Sequence, residues 1–198
     1  MSYGKANILD QETLEKIVES VSRDPQFGKR NKVMFMLSFH AGLRACEIAG
    51  LTWSNMTDAK GEIRKGSFWV PKGIAKNGRE REVPLHPDLY EALVVAHAGR
   101  KGEPIAFMQT NKQRHMSANY VAVWFKKVYK DHDLEGCSSH SGRRTMITAL
   151  ARNCNKLGCS LKDVQNIAGH AYIDTTEEYI EASENVSGLV ASLYGGAA

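Results

Sequence analysis

A chain of 198 residues with 42% hydrophobic and 24% charged side chains is built to bury a core, which excludes the disordered and fibrous classes and favours one domain. No window approaches about 18 uninterrupted apolar residues and the N-terminal segment has no apolar core, so no membrane span or secretory signal is expected and the compartment expected is cytoplasmic. The formal net charge of +4 permits nucleic acid as a partner without demanding it, and the four cysteines (Cys46, Cys137, Cys154, Cys159) lack metal-knuckle spacing, so reduced, mostly buried thiols and no metal are expected.

In chain order, Asp10 is the expected N-cap of a helix through Ser22, because Leu14, Ile17, Val18 and Val21 recur at helical spacing. Asp24-Pro25-Gln26-Phe27-Gly28 breaks it. The densely apolar run over 31–40 predicts a buried helix ending at Ala41-Gly42, followed by a short helix from Arg44 to about Leu51. The period then changes: 67–70 and 81–84 read as strands separated by the turn signal Asn77-Gly78. His86-Pro87-Asp88 starts a helix to about Ala98, and Ile105-Ala106-Phe107 is a short strand or a buried connector. Ser117 caps a helix carrying Val121, Trp124, Phe125 and Val128, and further helices are predicted over 142–153, 160–168, 175–182 and about 185–194, before a fraying Gly-Ala tail. The fold class is therefore mainly α with a small antiparallel β-sheet (α+β).

Basic residues gather at 29–32, 72–81, 112–114 and 126–127, with Arg143-Arg144 beyond. Any one cluster is explained by a solvated face, but several together lean towards a phosphate backbone. Arg44, at a helix start, can share a phosphate with nearby backbone N–H groups or pair with Glu47 at i,i+3. Lys76 sits directly on the predicted turn and Lys72 competes with it for a chemical role; a turn lysine is suited to reaching a groove or donating a proton. His140 and Arg143, also at i,i+3, can converge on one anion, the alternative being a capping histidine beside a surface arginine. His170 follows Gly169 where a helix turns into a loop. Tyr179, nine residues on, is a candidate nucleophile or a core-packing tyrosine, with Tyr172 the other candidate. Guanidinium and imidazole donors suit the charge that builds on the non-bridging oxygens of a phosphodiester under attack.

Together, the segments Ala41-Gly42-Leu43-Arg44-Ala45-Cys46-Glu47-Ile48, Lys76, His140-xx-Arg143, Gly169-His170 and Thr175-Thr176-xx-Tyr179 resemble the tyrosine recombinase, or phage integrase, family. The resemblance implies that Arg44 and Arg143 bind the scissile phosphate, that Lys76 is the general acid on the leaving 5′-hydroxyl, and that His140 and His170 donate hydrogen bonds to the phosphate, with His140 also assisting proton transfer. Tyr179 would form a 3′-phosphotyrosyl link. It implies a site-specific DNA recombinase needing neither metal, cofactor nor ATP, acting on double-stranded DNA as a homo-tetramer. Lys112, Arg114, Lys126, Lys127 and Arg144 are the expected DNA contacts. Alternatives are a type IB topoisomerase-like nicking and closing enzyme, and a non-catalytic DNA-binding regulator on the same fold. Gly142 and Ala168 stand where the family usually has leucine. Only some forty residues precede Arg44, whereas most members carry an N-terminal helical clamp of about a hundred residues. The expectation is one catalytic domain over 1–198 without that clamp, its segment 185–194 either packing on a neighbouring protomer or folding back on its own subunit.

Overall fold

The computed structural model describes residues 6–98, 103–106 and 114–179. Nine α-helices and one two-stranded sheet lie within them: α1 Gln11–Ser22, α2 Gly28–Phe39, α3 Ala45–Gly50, α4 Trp53–Met56, β1 Ser67–Val70, β2 Arg81–Pro84, α5 Pro87–His97, α6 Ala118–Lys130, α7 Ser141–Asn153, α8 Leu161–Ala168 and α9 Asp174–Glu177. The mainly helical α+β class is as expected, and among the described residues no helix is long and apolar enough to cross a membrane.

α2 is the axle of the fold, packed against α1, α5 and α7. Its apolar residues run all round the helix, so Val33, Met34, Phe35 and Leu37 are fully enclosed, each stabilising the fold by about 1.5–3 kcal/mol. The amphipathic α1 instead buries Leu14 and Ile17 alone, and Asp10 accepts from the Thr13 amide at 2.7 Å as its cap. Behind α2, α3 packs on α6, whose Val121 and Phe125 are wholly buried. A second, smaller apolar cluster joins Ile147, Ala151 and Cys154 of the α7 region to Val164 and Ala168 of α8, with Tyr179 packed against it.

β1 and β2 pair antiparallel with Phe68 opposite Val83, both buried. Their connection is longer than a tight hairpin: Lys76 opens a one-turn 3₁₀ helix, Lys76–Gly78, and Gly78 takes φ +63°, which the Asn-Gly signal anticipated. Two boundaries moved. α2 begins at Gly28 instead of residue 31, and α9 is a single turn ending at Glu177 where a helix over 175–182 was expected, of which 180–182 lie outside the described residues. α4 was not foreseen; four residues held by Thr52 and Asn55 leave too short a pattern to read. Residues 104–106 form a connector, with Pro104 bridged to Thr52. Phe107, Lys112 and the expected helix at 185–194 lie outside the described residues.

Candidate active site

Arg143 stands in the first turn of α7 with 3% of its surface exposed. Its guanidinium donates to the Gly42 carbonyl at 2.5 Å through Nη1 and to the Ala168 carbonyl at 2.7 Å through Nη2. A guanidinium carries five N–H groups, so donors remain for an anion. The two carbonyls belong to the segments that carry Arg44 and His170, so this one side chain ties the larger core to the smaller cluster. Gly42 can present its carbonyl because it takes φ +61°, a left-handed conformation that glycine adopts at little cost. Burial first, then the nearby Arg44 charge, press the Arg143 pKa downward, but a guanidinium stays charged at neutral pH.

Arg44 is the N-cap of α3, and the i,i+3 pairing with Glu47 forms there. Its guanidinium is paired with Glu47 at 3.2 Å and still partly exposed, so it can face an anion while anchored. Its backbone N–H donates to Glu47 at 2.9 Å. Glu47 is wholly buried. Burial alone would raise its carboxyl, but the Arg81 fork, together with the Arg44 amide and charge, holds it down at about 2.

The ring of His140 makes no capping bond at the start of α7, which removes the helix-capping reading, and Arg143 beside it is no surface residue. Burial, then the charges of Arg143, Lys76 and Arg44, lower the His140 pKa, leaving a neutral imidazole at pH 7. Lys76 is exposed, and its charge bears on His140. His170 follows Gly169, the left-handed C-cap of α8, as the turn pattern predicted. It is buried, and its Nδ1 meets the Thr176 hydroxyl at 2.9 Å. In the tautomer where Thr176 donates to Nδ1, the ring hydrogen sits on Nε2. Burial and the charges of Arg143, Arg44 and Arg81 hold this imidazole at about 4, so it is neutral at pH 7. The Tyr179 ring stacks on His170 with centroids 5.7 Å apart and planes 25° from parallel, whereas Tyr172 is 73% exposed.

The structure thus brings five of the six candidate side chains into one neighbourhood by contact or charge, with Lys76 reaching it through His140. The expected DNA contacts are less uniform. Arg114, Lys126 and Lys127 are exposed, Lys127 pairing with Asp131 at 2.5 Å, and Lys112 lies outside the described residues. Arg144 is half-buried and donates to the Ala6 carbonyl at 3.0 Å through Nη1. From sequence, Glu47 entered only as an i,i+3 partner of Arg44 and Thr176 only as part of the motif ending at Tyr179, and neither of them nor Arg81 was assigned a place in the site. The strand alternation held a signal for Arg81, because period two puts it on the same inward face as Val83.

Among the described residues, one group has metal-ligand chemistry: His40, His86 and Asp88, their donor atoms within 4.8 Å of one another. The two imidazoles stack at 3.9 Å and 13°. Two rings bound to one zinc ion would have centroids about 5 Å apart, so this stack does not fit a shared ion. Of the cysteines, Cys154 is buried, Cys46 and Cys137 are half-buried and Cys159 is exposed, a less buried set than expected.

The family model described as phage integrase family matches residues 7–185. Among relatives, the tyrosine recombinase XerD of Halalkalibacterium halodurans is 28% identical over 184 residues, covering 87% of this chain and 56% of the relative. XerD of Vibrio cholerae serotype O1 is 26% identical over 86% of this chain and 55% of its own. The chain thus spans a little over half the length of these relatives. Among solved structures, the Tn1549 transposon integrase in complex with a circular intermediate DNA superposes with a TM-score of 0.72 at 20% identity, over 96% of this chain and 66% of that one. The XerH site-specific recombinase bound to difH substrate gives 0.69 at 19%, over 98% and 56%. The fold is therefore that of these recombinases, and the extent of the family match settles membership: this chain belongs to the phage integrase family.

Proposed function

We propose that this chain is the strand-cleaving and rejoining unit of a site-specific DNA recombinase working through a 3′-phosphotyrosyl intermediate. The observation that carries the reading is the convergence on Arg143, whose guanidinium is fixed by the Gly42 and Ala168 carbonyls while Arg44, His140, His170 and Tyr179 lie around it. The phosphate sits against Arg143, Arg44 and the Nε2–H of His170, donors that meet the charge developing on its non-bridging oxygens. Tyr179 Oη attacks phosphorus and its proton passes to the neutral His140; the P–O5′ bond breaks, and Lys76 supplies the proton that the 5′-oxygen takes. The phosphotyrosyl ester keeps the energy of the broken bond, so a 5′-hydroxyl from a second strand reverses the step without an external energy source.

Double-stranded DNA as partner is supported by the Tn1549 and XerH relatives having been solved on DNA. A tetramer over two DNA sites, a single catalytic domain over 1–198 and exchange of the 185–194 segment between protomers belong to the same proposal. Exposed Arg114, Lys126 and Lys127 serve the DNA backbone.

The test is to incubate the protein with nicked duplexes and look for a detergent-resistant protein–DNA adduct. Wild type and Tyr172→Phe should form it, and Tyr179→Phe should not. Arg143→Ala should abolish the adduct while keeping most DNA affinity. An adduct that survives Tyr179→Phe would sink the assignment of the nucleophile, and relaxation of any plasmid without site preference would turn the reading to a nicking-closing enzyme.

A further inference from the structure

Arg81 belongs to none of the motifs that identify the family chemistry, yet its guanidinium makes three hydrogen bonds to two segments distant in sequence. It opens β2, where strand alternation turns it inward with Val83, and only 6% of its surface is exposed. Nη1 and Nη2 donate to the two oxygens of Glu47, both at 2.9 Å, in a fork. Nε donates to the Ile167 carbonyl at 2.9 Å. Glu47 in turn holds the backbone and the guanidinium of Arg44. On the other side, Gly169 takes φ +64°, and a Cβ there would lie 3.0 Å from Arg81 Cδ and 3.1 Å from Nη1. The turn that delivers His170 is thus folded directly on this guanidinium.

From this geometry we infer that Arg81 is a positioning residue for phosphate attack, setting Arg44 and His170 at a fixed spacing through Glu47 and the Ile167 carbonyl. Its contacts join three segments distant in sequence: α3, the end of α8, and the strand leading back to Lys76. Stability alone does not account for such a pair, because a buried ion pair of good geometry does little better than apolar side chains of the same volume. What apolar side chains cannot supply is a planar fork that fixes direction on both sides at once. Arg81 stands behind the groups that would touch phosphate, so it acts through them, and its charge is one of those bearing on the His170 ring, beside Arg143 and Arg44.

The inference rests on the strand-transfer reading above, and its test separates the two. At a temperature where Arg81→Met is folded by circular dichroism, its first-order rate of adduct formation on saturating nicked duplex should fall about 100-fold, the loss typical of a misplacement of an ångström or so. The half-saturating DNA concentration should change less than threefold, and Arg81→Lys should recover part of the rate. A wild-type rate in folded Arg81→Met, or a loss confined to DNA affinity, would overturn the inference. Should Arg81→Met fail to fold, Arg81→Lys, which keeps a cation against Glu47, carries the test, and a wild-type rate there overturns it equally. A histidine NMR titration gives a readout independent of cleavage: the His170 midpoint should rise in the Arg81 variant, with Arg143, Arg44 and Tyr179 unchanged around it. If wild type itself yields no adduct, the strand-transfer reading fails, and an unmoved His170 midpoint then overturns the Arg81 inference by itself.

Discussion

Gly142 stands where the family usually carries leucine, and the structure gives a steric reason. It lies in the first turn of α7, where that helix crosses α2. A Cβ added there would lie 2.5 Å from Ser38 Oγ, 3.1 Å from Ser38 Cβ and 3.2 Å from Phe39 Cβ. Replacing a helical glycine by alanine gains about 0.5–1 kcal/mol. Overpacking a closed contact costs about 1–3 kcal/mol, and Ser38, fully buried, has little room to swing its hydroxyl away. Gly142→Ala should therefore lose about 1–2 kcal/mol net, a fall of about 2–8 °C in thermal midpoint for a chain of this size. Among the described residues the Ser38 hydroxyl has no hydrogen-bond partner, so Ser38→Ala by itself should be neutral or stabilising. It removes the closest atom, so the pair Gly142→Ala/Ser38→Ala should recover at least about 1 kcal/mol over the sum of the singles. Thermal and urea unfolding by circular dichroism read all four proteins. An alanine at 142 that matches or exceeds wild-type stability, or strictly additive singles, would refute the reasoning. Arg143 is the next residue, and a retreat of α7 from α2 would lengthen its bond to the Gly42 carbonyl, so adduct formation should fall with stability in the single and return in the pair.

Two further outcomes are expected. His40 and His170 are both held at about 4, chiefly by burial, against an ordinary 6.5, so between those values the unfolded chain binds more protons than the folded one. Stability should therefore be full above pH 6.5 and fall towards pH 4, with a second loss between 4.5 and 2 as Glu47 protonates; a flat urea midpoint from pH 7.5 to 4.5 would contradict this. Arg144→Ala breaks the bond to the Ala6 carbonyl and should lower the thermal midpoint while leaving the salt dependence of DNA binding unchanged. Lys126→Ala and Lys127→Ala should instead each flatten that slope by about one unit at wild-type stability, as measured by fluorescence anisotropy over a salt series.

The residues that identify the site were legible because each lies in a short motif whose local structure is set by its own sequence. Gly169 follows an amphipathic run and takes the left-handed C-cap conformation that glycine favours, so the position of His170 after that turn could be read directly, and the Asn-Gly pair likewise announced the bend that carries Lys76. What could not be read were relations across the chain. Glu47 looked like a surface partner for Arg44, because the helical i,i+3 spacing suggests that pair and nothing local says that the carboxylate is buried. Its second partner, Arg81, lies 34 residues on, in an element of the opposite periodicity. Arg144 shows the same limit: beside Arg143 it reads as part of a basic patch, and only the return of the N-terminal segment over α7 reveals its bond to the Ala6 carbonyl.

These long-range contacts explain why the site is assembled at a junction and not inside one core. Arg44 and Glu47 are held by the large cluster around α2, whereas His170 and Tyr179 belong with the small cluster of α7 and α8. Two guanidiniums cross between them, Arg143 to the Gly42 and Ala168 carbonyls and Arg81 to Glu47 and the Ile167 carbonyl. Glu47 is thus one carboxylate shared by Arg44 and Arg81 while Arg143 rests on neutral carbonyls, so positive charge outweighs negative in the cluster. Such a cluster is costly to bury, and part of its cost is the mutual repulsion that already lowers the Arg143 pKa. On the strand-transfer proposal, a phosphodiester entering the junction would supply the balancing charge. Its additional oxyanion character under attack is stabilised by donors that the carbonyls and the Glu47 fork hold in place before the substrate arrives. The cations are therefore arranged at the expense of folding free energy, and the return on that expense comes only when the phosphate is bound.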